Sequence, residues 1–270
     1  MPEETRLDLI RRRRPLLHCV SNLVSANDCA NVALAVGASP MMAHAAEEMR
    51  EITRRSAATV LNTGTPDRER FGVCALCGRA ANELGQPLVL DPVGVGASAW
   101  RLEQVLRLLA EVRPTVLRVN LGEAEALCRR EGREQGVDSL AGADTDTRLA
   151  LAEELSARYG TAVLLTGEED LVLDGRHAYR ISGGSPLATR VTGTGCMLSV
   201  LCGAFAAVEP EAAKAAALAA AFWKLCAETA ERKTAGRGSG TYRTELINAA
   251  SLLGAEELSR RGNIRALRPE

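Results

Sequence analysis

Pro87-Leu-Val-Leu-Asp91-Pro-Val-Gly-Val-Gly96-Ala-Ser-Ala-Trp100-Arg-Leu-Glu-Gln-Val-Leu-Arg-Leu-Leu-Ala110-Glu-Val-Arg-Pro-Thr115-Val-Leu-Arg-Val119 reads as a strand, a helix and a second strand. Pro87–Leu90 is a short apolar run that stops at an acid, Asp91. Ala99–Val112 carries a helical period, and Thr115–Val119 is again short and Val-rich. A strand, a crossover helix and a strand make a βαβ unit, the building block of a parallel sheet.

The same alternation runs outward in both directions. Towards the N-terminus, Leu16–Val20, Ser39–Met42 and Ala58–Leu61 read as strands, with helices over Ala26–Val36, Glu47–Arg54 and Arg68–Leu84. Towards the C-terminus a helix begins near Glu123, and Gly132–Asp146 lacks periodicity and reads as a surface loop. Leu149–Tyr159 reads as a helix and Ala162–Leu165 as a strand. Asp170–Asp174 and His177–Ile181 read as a hairpin around Gly175. Helices are expected from Thr194 to about Val208, over Glu211–Arg232, and from about Arg243 to Arg260. With no internal repeat and no linker composition, the expectation is one α/β domain over 1–270, its mostly parallel sheet covered by helices on both faces. Ligands of such sheets bind beyond the carboxyl ends of the strands.

Composition narrows the function. The chain has 270 residues, a formal net charge of −1 and only 3% aromatics, so it has neither the charge nor the stacking platforms of a nucleic-acid binder. The basic run Arg11–Arg14 closes a short amphipathic segment and reads as a solvated helix end. The longest apolar stretch, Ala215–Trp223, is far shorter than the roughly 20 residues of a membrane span. No apolar signal segment is found in residues 1–20, and Cys128, Cys202 and Cys226 sit in helical patterns. The eight cysteines are therefore expected to be reduced thiols in a cytoplasmic protein. Cys74-Ala-Leu-Cys77 has no second pair at zinc spacing and reads as helix packing. His18, His44 and His177 lack metal-like spacing.

The unusual residues fall where strands end. Val191-Thr-Gly193-Thr194-Gly195-Cys196-Met197 places two glycines at a loop-to-helix junction. Glycine lets a ligand approach the backbone, and the helix start offers free N–H groups and a positive dipole end, together an anion cradle. Cys196 in the first turn is expected to have its thiolate favoured by that dipole; it reads as a general base, a nucleophile or a small filler. Asp91 precedes two spaced glycines and suits Mg²⁺ held through water. Neither a P-loop nor a dinucleotide fingerprint is present. Arg118 offers a forked donor for phosphate. Asn120 and Glu123 share the start of a helix, where reciprocal capping is the simpler account of that pair. Thr166 ends another strand, where it reads either as a donor to a phosphate or as part of a turn before the hairpin. Asn22, Asn27 and Asn31 are poor helix formers that suit recognition of a polar heterocycle. Met42 brings an adaptable side chain to the next strand end, where it reads either as packing against a flat ring or as core filler.

Taken together, these runs resemble the hydroxyethylthiazole kinases, which are ribokinase-like. The carrying motifs are Ser21-Asn22, Gly37-Ala-Ser-Pro-Met-Met42-Ala-His44, Leu61-Asn-Thr-Gly-Thr65, Asp91-Pro-Val-Gly-Val-Gly-Ala97, Asn120-x-x-Glu123, Thr166-Gly167-Glu168, Val191-Thr-Gly-Thr-Gly-Cys196 and Gly238-Ser-Gly-Thr241. Cys196 is the telling residue, since related sugar and pyrimidine kinases usually carry Asp there. The resemblance implies a three-layer α/β/α fold and ATP-dependent phosphorylation of a thiazole alcohol in thiamine salvage. It implies that Met42, Gly193 and Asn22 meet the alcohol and that Arg118 and Thr166 meet ATP. Asp91 and Glu123 would organise Mg²⁺, and Cys196 would lie beside the substrate hydroxyl at an anion hole formed by Gly193, Thr194, Gly195 and Cys196. It also implies a homotrimer. The chain departs from the family's habit at Val119, Asp28 and Leu23. A pyrimidine kinase, an ADP-dependent hydrate dehydratase and a non-catalytic nucleotide-binding protein are the competing classes. Cys196 and the Asn-rich start stand against the first two, and the intact Asp91, Glu123 and glycine run against the third.

Overall fold

The computed structural model describes residues 5–129 and 144–268. Its elements, in chain order, are α1 (Arg6–Arg13), β1 (Leu16–Val20), α2 (Ala26–Val36), β2 (Ser39–Met41), α3 (Met49–Arg55), β3 (Ala58–Asn62) and α4 (Arg68–Glu83). There follow β4 (Leu88–Asp91), α5 (Ala99–Glu111), β5 (Val116–Asn120), α6 (Leu121–Arg129), α7 (Thr145–Tyr159), β6 (Ala162–Thr166), β7 (Asp170–Leu173) and β8 (Ala178–Ile181). Last come α8 (Thr194–Ala206), α9 (Ala212–Thr234), α10 (Ser239–Leu252), α11 (Ala255–Arg261) and β9 (Ile264–Ala266).

The strands form one nine-stranded sheet in the order β2-β1-β3-β4-β5-β6-β7-β8-β9. The pairs from β2 to β6 are parallel, and β6 to β9 pair antiparallel. Strand alternation sends side chains to two separate cores. Leu17, Val60, Val89, Val116 and Leu164 face α1, α2, α8, α9 and α10. Leu61, Leu90, Leu117, Val163 and Leu165 face α3 to α7. Each fully buried Val or Leu contributes about 1.5–3 kcal/mol, and β3 and β4 are buried along their whole length. This is the expected three-layer ribokinase-like arrangement.

The larger differences from the sequence expectation lie in the last helix, at the start of α7 and in β9, while other element ends shift by a few residues. The expected last helix is two, because the chain breaks at Leu253 and Gly254 opens α11, its N–H donating to Glu257 Oε2 at 3.3 Å. α7 starts at Thr145, because the Asp144 side chain accepts the Thr147 N–H at 2.8 Å and caps it. The rest of the expected surface loop, 132–143, lies outside the described residues. Strand β9 was not foreseen, since three residues carry no readable period. Departing residue Asp28 has a use: it is buried in α2 and takes the forked guanidinium of Arg243, tying α2 to α10. Cys74 and Cys77 are buried in α4, and all eight cysteines are unpaired. Among the described residues no helix is long and apolar enough to cross a membrane.

α8 lies on the sheet at close range. A Cβ at Gly203 would sit 2.6 Å from Val60 Cγ2 on β3. Gly203→Val is expected to destabilise the fold by about 1–3 kcal/mol through overpacking. A urea titration checks it: the midpoint falls while the slope stays unchanged.

Candidate active site

Four strands carry a polar residue two places beyond a buried apolar one, Val60 and Asn62, Val89 and Asp91, Val116 and Arg118, Leu164 and Thr166, and in all but β5 that residue is the last of the strand. A period of two keeps each pair on one face. The four apolar residues pack under α8 and α9, so the four polar ones are carried to the start of α8. Register aligns them further, with Asn62 opposite Asp91.

Asp91 is fully buried. Its Oδ2 accepts from Ser199 Oγ at 2.8 Å and from Asn62 Nδ2 at 3.0 Å, and Oδ1 lies 3.5 Å from Arg118 Nη1. Burial pushes its carboxyl up, and Arg118, Ser199 and Asn62 pull it back. Arg118 also donates through Nη2 to Thr166 Oγ1 at 2.8 Å. Its guanidinium lies flat on Gly195, where a Cβ would meet Nη2 at 2.6 Å and Cζ at 2.7 Å. The second glycine of the cradle is thus space for an arginine. Arg118 Nε is buried without a hydrogen-bond partner.

Glu123 and Asn120 form the reciprocal cap, Asn120 N–H to Glu123 Oε2 and Glu123 N–H to Asn120 Oδ1, both at 2.9 Å. The capping account is therefore right but incomplete, because Glu123 Oε1 also accepts the Gly94 N–H at 3.0 Å in the loop after β4. Burial pushes Glu123 up as well, Arg118 opposes it, and the Asp91 charge adds to the rise. Two buried carboxyls thus share one guanidinium, leaving negative charge to be met. Among the described residues no cluster of three or more His, Cys, Asp or Glu could cage a metal. That donor set suits a Mg²⁺ ion that keeps water and takes phosphate oxygens as its other ligands.

On the other side of Asp91, Asn62 Oδ1 accepts from Asn22 Nδ2 at 2.9 Å, and the same Nδ2 lies 3.4 Å from Cys196 Sγ. Asn22 Oδ1 accepts the N–H groups of Val24 and Ser25 at 3.0 Å each, fixing the turn into α2. Gly193 caps α8 with φ +81°, and a Cβ there would lie 2.9 Å from Ser25 Cβ, so both its conformation and its surroundings exclude a side chain. The Thr194 hydroxyl turns back to Ala188 O at 3.4 Å.

The expected Cys196 thiolate is not what the site favours. Burial and the Asp91 charge push the thiol up, outweighing Ser25, Asn62 and Arg118, which pull it down, so Cys196 rests protonated. Asn27 and Asn31 also differ from expectation: both are exposed and bond to each other rather than to the site. Met42 follows β2 beside β1, half-buried against the core that includes Cys196. His18 is buried with Nδ1 3.0 Å from Thr53 Oγ1, and burial lowers it to about 4, so it is a neutral structural residue. Sequence reasoning left Asn62 without a role and missed Ser199. The signal for Asn62 was there, since Val60-x-Asn62 repeats Val89-x-Asp91. Ser199 is one helical turn beyond Gly195, a spacing that singles out nothing by itself.

Residues 7–256 match the model of the hydroxyethylthiazole kinase family. The chain belongs to the hydroxyethylthiazole kinase family. A hydroxyethylthiazole kinase of Listeria monocytogenes is 39% identical over 258 residues, spanning 96% of this chain and 95% of that one. That of Desulforudis audaxviator is 43% identical over 259 residues, spanning 96% and 93%. The solved structure of the hydroxyethylthiazole kinase protein from Pyrococcus horikoshii superposes with a TM-score of 0.88 at 36% identity, covering 97% and 98% of the two chains. Pyridoxal kinase from Staphylococcus aureus shares the fold alone, with a TM-score of 0.61 at 16% identity.

Ser199→Ala removes a donor that favours charged Asp91, so the carboxyl protonates at higher pH. The acid limb of kcat/KM is expected to move to higher pH, with a loss of about 3- to 10-fold at neutral pH. A pH–rate profile of the two proteins checks the direction.

Proposed function

We propose that the chain moves the γ-phosphoryl group of ATP to the hydroxyl of 4-methyl-5-(2-hydroxyethyl)thiazole, giving the phosphate ester and ADP in thiamine salvage. The observation that carries the reading is the meeting of Cys196 and Asn22 with Asp91 and Arg118 at the first turn of α8. It acts as one domain over 1–270. The alcohol lies against Asn22, Met42 and Gly193 with its hydroxyl at Cys196, and ATP extends towards Arg118 and Thr166.

Phosphoryl transfer passes through a loose transition state, so positioning and charge stabilisation outweigh base strength. The amides of Gly193, Thr194, Gly195 and Cys196 face the moving group, with the dipole of α8 behind them. Arg118, pressed on Gly195, adds a cation at that point. Asp91 and Glu123 are the residues that would hold a Mg²⁺ ion, which would supply positive charge for the phosphates. Cys196 keeps its proton and orients the hydroxyl; as the bond from the alcohol oxygen to phosphorus forms and the bond to ADP breaks, the hydroxyl proton passes to an oxygen of the transferred phosphoryl group. Exposed apolar side chains Leu23, Val24 and Met41 border the strand ends that carry Asn22 and Met42. A homotrimer with those faces covered completes the reading, as does a cytoplasmic location, where the eight thiols stay reduced.

The direct test incubates the protein with Mg-ATP and either hydroxyethylthiazole or hydroxymethylpyrimidine. The thiazole alcohol is expected to gain phosphate; phosphorylation of the pyrimidine alone, or of neither, overturns the proposal. Cys196→Asp tests the role of the thiol. An Asp supplies a permanent base, so kcat is expected to hold or rise by up to about tenfold. Near-complete loss in a folded Cys196→Asp protein, judged by its circular dichroism, points instead to covalent cysteine chemistry.

A further inference from the structure

Two adjacent residues of α9 grip the site from behind. Trp223 Nε1 donates to Thr194 O at 3.1 Å, in the first turn of α8. Lys224 Nζ reaches the turn after β6, donating to Glu168 O at 2.8 Å and to Gly167 O at 3.3 Å. It also donates to Gly183 O at 3.3 Å and lies 3.4 Å from Asp170 Oδ1. Asp170 in turn accepts the Gly167 N–H at 3.0 Å. The Lys224 and Asp170 side chains are only 11% and 6% exposed. One turn further along α9, Glu228 Oε1 accepts the Gly184 N–H at 3.2 Å.

The targets of this grip are main-chain groups, and they flank the functional side chains. Gly167 follows Thr166, whose hydroxyl meets Arg118, and Thr194 belongs to the glycine cradle. A buried ammonium is a demanding group to place, because it must find acceptors for three donors. Here it finds four acceptors: two carbonyls in the turn after Thr166, the carboxylate of Asp170 at the start of β7, and the Gly183 carbonyl after β8. Burial raises Asp170, and the Lys224 ammonium beside it opposes that rise.

We propose that Trp223 and Lys224 are positioning residues for phosphoryl transfer, fixing the distance between the turn that carries Thr166 and the cradle at Gly193–Cys196. The proposal rests on the kinase reading above. A nucleotide whose phosphates reach from Thr166 to the cradle needs both ends at one spacing, and a misplacement of an ångström is enough to slow such a reaction by orders of magnitude. α9 sets that spacing through two consecutive side chains, one on each end.

The test compares wild type with Lys224→Met, Lys224→Arg and Trp223→Phe. Lys224→Met is expected to raise the KM for ATP and the Kd for Mg-ADP about tenfold, with the KM for the alcohol within twofold. Lys224→Arg, which can still reach carbonyls, is expected to recover most of the loss. Trp223→Phe removes the N–H together with part of the ring, and is expected to lower kcat severalfold. The double variant is expected to lose less than the product of the single losses, since both act on one spacing. Should Lys224→Met fail to fold, Lys224→Met with Asp170→Asn leaves no unpaired charge and carries the same expectation. Unchanged nucleotide affinity in a folded variant, or a melting temperature that falls with kcat while both KM values stay put, overturns the proposal. Mg-ADP affinity by calorimetry needs no alcohol, so a wild type that binds ADP but leaves the thiazole alcohol untouched fails the kinase reading and not this one.

Discussion

The seating of α8 on the sheet is the constraint on which the rest depends. An α-helix normally stands off a sheet by the thickness of its side chains. Here Gly203 lets the helix settle on Val60, and Gly195 leaves its first turn lying on the Arg118 guanidinium. Raising α8 by one methyl group would part its exposed N–H groups from the strand ends. The cradle, the arginine and the carboxylate are therefore a single packing solution rather than three separate devices.

That packing encloses charge, and the network around Asp91 is the response. An isolated buried carboxylate is strongly unfavourable, and it is tolerated when donors surround it. Ser199, Asn62 and Arg118 come from a helix and two strands, so the charge is stable only when those elements are assembled. Burial first, and the Asp91 charge second, keep the neighbouring thiol protonated. A cysteine in this place is thus held back from becoming a reactive nucleophile.

Most of the architecture could be read from the sequence, because βαβ units repeat one strong pattern. The run Pro87–Val119 alone fixed a parallel pair, and the structure bears it out. What could not be read was contact across the chain. Asn22 and Cys196 stand 174 positions apart, and their approach follows from the order of the strands. The sequence reads Arg118 as a forked donor for phosphate, whereas in the structure its fork is engaged with Asp91 and Thr166 within the chain. The thiolate expected at Cys196 failed for a related reason, since a helix dipole is visible in sequence and burial is not. Short elements failed too: β9 has three residues and no period, and Leu253-Gly254 divides a helix whose pattern otherwise continues.

The sheet also has two open edges, and each is a three-residue strand. A nine-stranded sheet with long, flat borders would offer unpaired N–H and C=O groups to any passing extended chain. At one border Pro40 has no N–H to give, and at the other Arg265 places a charge. The strands with the longest apolar runs lie inside, where both sides are already paired. The molecule can therefore carry a broad, strongly apolar sheet at high concentration with little to template the growth of fibres.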